Sequence, residues 1–453
     1  MKVNPKHFFL IIAGILFVSQ VKSQAILEQY VKKGLDSNLA LKQKSFDLQR
    51  AKLDLRRAEA LFFPQVNFAA QYTVANGGRS IDLPIGDLLN GVYSTLNQLT
   101  ATNKFPQINN QSISFLPNDY HDTKMEVLMP IVNTDIKYNK QIKSELINTQ
   151  QQDILVYKRE LVKTIKQAYY QYLQADKAMN IYQNALSSVN ENLRFTEKLV
   201  KNNVATKEVI ARAKTQVSQV ETSIIEAKNN KKNAQSFFNF LLNQSLETPI
   251  SIDSSLIEHL QTKISTAVEV PMQREELAKL QSVKKVYETN LKLTDANKIP
   301  KLNAAYNIGF QGNGYTFDNK QFYQLAVVQL QWNLFKGYDN RYKIKQAQLD
   351  IDALQNQYSD VQKQMLLQVS TANNTYQSAW AALTSTADEM LSSKEVYAFT
   401  EKRYREGQAL LIELTDARTQ MTNAAVKYSL AQLAVLNKEA ELERVTATFT
   451  LNK

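Results

Sequence analysis

The sequence predicts a mainly α protein carrying a membrane β-barrel portion of four β-strands per chain, internally duplicated. Three observations predict it. Gly (11) and Pro (9) occur at about a third of their usual share in 453 residues. A 3.5-residue apolar period runs through two long tracts that are almost free of both. Four short segments between these tracts alternate apolar and polar residues with period two.

From the N-terminus, Lys2 and Lys6 precede an apolar run from Phe8 to Val18, and Val21-Lys22-Ser23 supplies a cleavage site before Gln24. Residues 1–23 therefore read as a secretory signal, the run being too short for the roughly 20 residues of a membrane helix. Its removal lowers the formal charge from +11 to +8, with the remaining Lys and Arg interspersed among acids as ordinary surface rather than a nucleic-acid patch. No later stretch approaches 18 consecutive apolar residues, so export ends either in solution or in an outer membrane entered by β-strands.

The first helical tract lies between Pro130 and Pro249. Leu161, Ile165, Ala168, Tyr172, Ala175 and Met179 open a series that continues to Val200 in alternating steps of four and three. Such a series is a coiled-coil seam, and a helix over 137–202 would be about 100 Å long. Helix 208–244 follows it. Ile344, Ala347, Ile351, Leu354, Tyr358, Val361 and Met365 begin a matching seam in helix 338–404, followed by helix 411–448. The many Ala, Thr and Tyr in the seams point to shallow packing on more than one side.

The strands are predicted at 64–72, 122–132, 300–311 and 321–333. Val66, Phe68, Ala70 and Tyr72 share one face of the first; Leu302, Ala304, Tyr306, Ile308 and Phe310 share one face of the third. Length and alternation match outer-membrane strands, and Tyr72, Phe310, Phe322, Tyr323 and Trp332 near the ends suit interfacial girdles. Four strands cannot close a barrel, and lipid does not tolerate an open edge. Two copies would give a filled eight-stranded barrel. Three, the favoured number, give a trimeric 12-stranded barrel with a lumen.

The chain reads as two structural repeats, 24–248 and 273–453, joined by a linker at 249–272 that contains Pro271. Ala60 to Val66 matches Ala296 to Leu302, and Met129-Pro130-Ile131-Val132 matches Trp332-Asn333-Leu334-Phe335. The first hairpin thereby carries the longer loop, about 73–120. Pro64, Pro130, Pro300 and Gly337 are expected at strand–helix junctions, where the chain must leave helical geometry. Turns are expected near Asn202–Lys207 and near Gly407.

Catalytic and metal chemistry find little support. Zero Cys excludes thiolate zinc sites and cysteine nucleophiles. His121 and His259, the histidines beyond the signal, stand apart without a paired ligand and are expected at a surface or interface. Gly309, Gly312 and Gly314 imitate a phosphate loop, but a strand rather than a helix follows, so they are read as a hairpin turn. No enzyme, cofactor or metal site is expected.

The signal, the two repeats, the Ala-x-x-x-Pro-[Gln/Lys]-[Val/Leu] motif before a strand and Leu334-Phe335-Lys336-Gly337 after one together resemble the TolC-type outer-membrane efflux protein family, over essentially all of 24–453. The resemblance implies a homotrimer whose barrel continues into a long coiled-coil helical tunnel in the periplasm, ringed by 249–272 as an equatorial belt. It implies outer-membrane lipid around the barrel, a periplasmic membrane-fusion adaptor at the tips (Glu208, Val209, Gly407) and an inner-membrane transporter behind it. It also implies a periplasmic gate of Tyr404, Glu413 and Asp416, the acids lying six and nine residues after Gly407. Two departures stand out: Asn202–Asn203 replaces the Gly common at the first tip, and Glu275 replaces the Pro that often follows Arg. The expected function is a passive exit duct of a tripartite efflux or secretion system. The alternative is a periplasmic structural or adaptor coiled coil, which has no need of lipid-length strands.

Overall fold

The computed structural model describes residues 26–253, 256, 260 and 274–451. The signal, His259 and most of the 249–272 linker lie outside the described residues. The described residues form two compact units from interleaved stretches of chain: those within 26–52, 145–286 and 350–451 make the larger, and 53–144 and 287–349 the smaller.

Helix α1 covers residues 26–37, and α2 (Leu39–Ala60) follows after one break at Asn38. That residue caps α2 by accepting the Leu41 N–H at 3.0 Å. Then come α4 (Thr134–Lys201), α5 (Lys207–Leu241), α6 (Glu275–Asp295), α7 (Asp339–Arg405) and α8 (Leu411–Thr446). At 68 residues α4 is about 100 Å long. The described residues contain no helix long and apolar enough to cross a membrane.

In the larger unit, the α4 seam residues Leu161, Ile165, Ala168, Tyr172, Val189 and Thr196 are buried. So are Val162, Tyr169, Tyr170 and Leu173 beside them, so this part of α4 is packed on several faces rather than along one stripe. Phe238, Leu242, Leu433 and Val435 complete the core. Tyr169 donates its hydroxyl to the Ser251 carbonyl (2.9 Å) and accepts the Asp253 N–H (3.0 Å), which fixes the start of the linker. Burial, only partly offset by that backbone bond, pushes its pKa up to about 12.

The smaller unit is built on an antiparallel sheet of β1 (Gln65–Thr73), β4 (Tyr120–Val132), β5 (Lys301–Asn313) and β6 (Phe322–Gln331), in that spatial order. The segment between β1 and β4, expected as a loop, is folded. It contains β2 (Ser80–Leu83) paired with β3 (Gln111–Ser114), and helix α3 (Ile85–Thr100) between them.

Four sequence expectations are corrected here. Gly309 and Gly312 lie inside β5, and only Gly314, with φ +70°, belongs to the turn. A Cβ on Gly309 would stand 2.3 Å from the Thr123 carbonyl, so close strand approach, not turning, requires that glycine. Pro130 sits within the end of β4, at a register shift between Pro130 and Val132, rather than at a junction. A residue without an N–H breaks the ladder there. Pro64 and Pro300 directly precede β1 and β5, and Gly337 (φ +55°) leads into α7. His121 is fully buried, its Nε2 2.8 Å from Gln321 Oε1 and its ring beneath Tyr315 and Phe317. Tyr323 turns to the opposite face from Phe310 and Phe322, where its hydroxyl donates to Asp122 Oδ1 (2.9 Å), so it belongs to no girdle.

Candidate functional site

Two arrangements stand out as places where the chain can act: the main sheet, and a matched pair of helical turns. The register places Val66, Val127, Tyr306 and Ala326 side by side across all four strands, with Phe68, Met125 and Ile308 in the next row. This face continues through Val328 and Leu330, which are 66% and 62% exposed. The opposite face carries Asn67, Glu126 and Asn307 in one row, and Lys124 and Asp122 beyond it. Lys124 Nζ lies 2.7 Å from Asp122 Oδ2. Leu128, Leu325 and Val327 share this mainly polar face. Because side chains alternate along each strand, a single register separates an uncovered apolar surface from a wet one. Within the described residues β1 and β6 have one neighbour each, so both edges of the sheet are unpaired.

The two turns repeat one geometry 204 residues apart. After α4, the Asn203 N–H reaches Val200 O (3.0 Å) and the Val204 N–H reaches Leu199 O (2.9 Å). After α7, the Gly407 N–H reaches Tyr404 O (3.1 Å) and the Gln408 N–H reaches Arg403 O (2.8 Å). Both are Schellman caps, with Asn203 at φ +60° and Gly407 at φ +75° in the left-handed region. Asn tolerates that region better than other side-chain-bearing residues, which accounts for Asn203 where Gly was expected. Thr206 and Leu410, both extended, then start α5 and α8.

The predicted gate and tip residues separate here. Tyr404 is buried with Leu411 and Leu414, its ring 5.6 Å from Phe195 and its hydroxyl 3.3 Å from Thr196 Oγ1. Glu413 caps its own helix, with Oε1 accepting the Leu410 N–H at 3.0 Å and Oε2 lying 3.7 Å from Arg403. Asp416 is exposed and has no ion-pair partner among the described residues. Glu208 is exposed and pairs with Arg212 at 2.7 Å on its own helix. Val209 packs inward against the Tyr404 cluster. The outward apolar residues are instead Val204 (70% exposed), Leu410 (67%) and Ile412 (52%), which sequence reasoning missed. Their signal was an aliphatic residue next to each cap.

Sequence reasoning also missed a charged knot in the larger unit. Arg159 holds Glu275 through two hydrogen bonds, Nε to Oε2 at 2.9 Å and Nη2 to Oε1, and donates Nη1 to the Phe449 carbonyl at 3.0 Å. Next to it, Arg274 is fully buried and binds Glu276, which Arg444 also approaches at 3.6 Å. Burial opposes the Glu276 charge, but the Arg274 hydrogen bond, its own backbone N–H and the two guanidinium charges outweigh it and hold its pKa below the carboxylate range. No group of three or more potential ligands able to hold a metal ion occurs among the described residues.

Residues 270–448 match the family described as Outer membrane efflux protein. Over these residues the chain is similar to the outer membrane efflux protein family. Over 93% of its length the chain is similar in fold to solved outer-membrane channels. VceC, an outer membrane protein of Vibrio cholerae, superposes with a TM-score of 0.71 at 14% identity over 93% of this chain and 96% of its own. The CmeC outer membrane channel of Campylobacter jejuni gives 0.71 at 14% over 93% and 85%. The open-state MtrE outer membrane channel of Neisseria gonorrhoeae gives 0.72 at 15% over 93% and 88%. No curated protein sequence matches the chain. The knot falls near the start of the matched residues, where Glu275 gives Arg159 its partner.

Proposed function

We propose that the chain is the outer-membrane exit duct of a tripartite efflux or secretion system, conducting substrates passively. The observation that carries this reading is the main sheet, with one exposed apolar face, one largely polar face and two unpaired edges, β1 and β6. Lipid covers the apolar face. The edges are satisfied when β6 of one copy pairs with β1 of the next, and three copies make twelve strands around a lumen lined by the polar face. The family match and the efflux-channel fold support the same reading. A periplasmic structural or adaptor coiled coil has no use for an apolar sheet surface of this kind.

In this reading the protein is not an enzyme. A periplasmic membrane-fusion adaptor meets the two caps, using Val204, Leu410 and Ile412 together with Glu208 and the Gly407 turn. An inner-membrane transporter supplies the driving force. The gate keeps its three residues with divided roles: Tyr404 braces α7 against α4, Glu413 holds the start of α8, and Asp416 contributes the ring of free carboxylates that repels anions and binds multivalent cations.

The test is to extract the protein from an outer-membrane fraction in mild detergent, measure its mass and record it in planar bilayers. A trimer with ion conductance is expected. A monomer, or a water-soluble oligomer that forms no channel, overturns the reading.

A further inference from the structure

The folded insert between β1 and β4 presents a helix face that nothing within its unit covers. One side of α3 is bound to the strap at 103–110. Asn90 donates to the Ile108 carbonyl (3.0 Å) and accepts its N–H (2.8 Å), and Asn97 does the same with Phe105 at 2.8 and 3.0 Å. Asn110 exchanges hydrogen bonds with Asp87 at 2.9 and 3.1 Å. A Cβ on Gly86 would lie 2.3 Å from the Ile108 carbonyl, so helix and strap touch closely. The base is tied where the Ala75 N–H meets Asn118 Oδ1 (3.0 Å), beside the ends of β1 and β4.

On the side opposite the strap, Leu88, Val92, Thr95 and Leu99 follow helical spacing. Leu88 is 70%, Val92 53% and Leu99 78% exposed. The stripe is charge-free, and Gly91 beside it faces open space. A lipid surface is a poor occupant. Interfacial helices carry Lys or Arg on the polar side and aromatic residues on the apolar side, whereas α3 has no basic residue, its one charge is Asp87, and its aromatic Tyr93 turns inward onto Phe105 at 5.7 Å. Another helix suits it better, because Gly91 and Thr95, four residues apart, permit close approach between leucines. The insert also springs directly from β1, the edge strand at which a second copy pairs in the proposed assembly.

We propose that the α3 stripe docks onto the insert of the neighbouring copy, so that the copies build a helical collar at the outer mouth of the duct. The proposal rests on the multimeric reading above. It predicts a mouth narrowed by protein rather than left open by mobile loops.

The chain lacks cysteine, so Val92→Cys and Thr95→Cys each provide a single thiol, with Lys104→Cys on the exposed strap as control. In the full-length protein within native membranes, oxidation or a short bis-maleimide should link copies through position 92 or 95. Position 92 should lose reactivity toward a water-soluble maleimide while position 104 keeps it. Trimers whose Val92→Cys and Thr95→Cys variants label freely in water without cross-linking overturn the collar and leave the duct standing. Quenching of a fluorophore at position 92 by brominated lipid overturns it in favour of membrane contact. A monomeric chain overturns both readings.

Discussion

Exchanging the residues that cap the two long helices isolates backbone strain from every other effect. Gly407 and Asn203 occupy equivalent left-handed positions with φ +75° and φ +60°. A Cβ placed on Gly407 meets nothing within 4 Å, so substitution there creates no clash. Gly407→Ala therefore costs only the left-handed penalty, about 1–2 kcal/mol, whereas Gly407→Asn recovers most of it because Asn enters that region readily. A loss of about 1 kcal/mol raises the local open population about fivefold. Hydrogen exchange at the Gln408 amide, which donates to Arg403 O, reads that opening directly. Gly407→Ala should speed exchange about fivefold, Gly407→Asn much less, and Asn203→Ala should speed exchange at Val204 as Gly407→Ala does at Gln408. Equal exchange in the Ala and Asn variants of Gly407 refutes the argument. Export assays on Gly407→Asn then test docking alone: lost export with unchanged exchange assigns the turn to a partner, not to capping.

Three further outcomes are expected. Arg159→Ala leaves Glu275 with 15% side-chain exposure and no guanidinium, which should destabilise the larger unit by about 3–5 kcal/mol; Arg159→Met with Glu275→Leu should recover much of the loss, as thermal melts can show. Asp153 is partly desolvated, but hydrogen bonds and charge from Lys279 and Lys44 win and lower its pKa, so its contribution is full above the ordinary carboxylate value of about 4 and is lost as pH falls below it; acid unfolding of Asp153→Asn should be less steep there than that of the native chain. Finally, Asp416→Asn should weaken block by trivalent cations in planar bilayers without loss of helicity, whereas Glu413→Gln should mainly loosen the start of α8; identical effects would remove the division of roles.

Legibility in the sequence followed periodicity. A 3.5-residue pattern held over many turns permits no other regular structure, and period two with a fixed parity assigned the apolar sheet face before any register was known. Tyr323 could have been assigned by the same parity, since it is out of step with Ala326 and Val328, but its aromatic character invited the girdle. Other features depend on partners remote in sequence. Gly309 looks like a turn residue until Thr123 is brought beside it. His121 looks exposed until Tyr315 and Phe317 close over it. The insert was illegible because Asn90, Asn97 and Asn110, ordinary loop residues by composition, act there as substitutes for a missing strand. Glu275 was visible only as a departure from a motif, and its meaning needed Arg159, 116 positions earlier.

In the proposed multimeric duct, a newly made copy is a hazard until it finds its companions. The two bare flanks of its sheet, β1 and β6, can recruit any extended polypeptide in transit, and Phe68, Val328 and Leu330 add adhesive surface beside them. Concentration therefore acts on this protein in two opposed ways, hastening correct closure and hastening tangles. Under the proposed assembly, biogenesis must hold the strands apart from other chains and release them together, and overproduction beyond the supply of escorts should end in aggregate rather than in idle monomer.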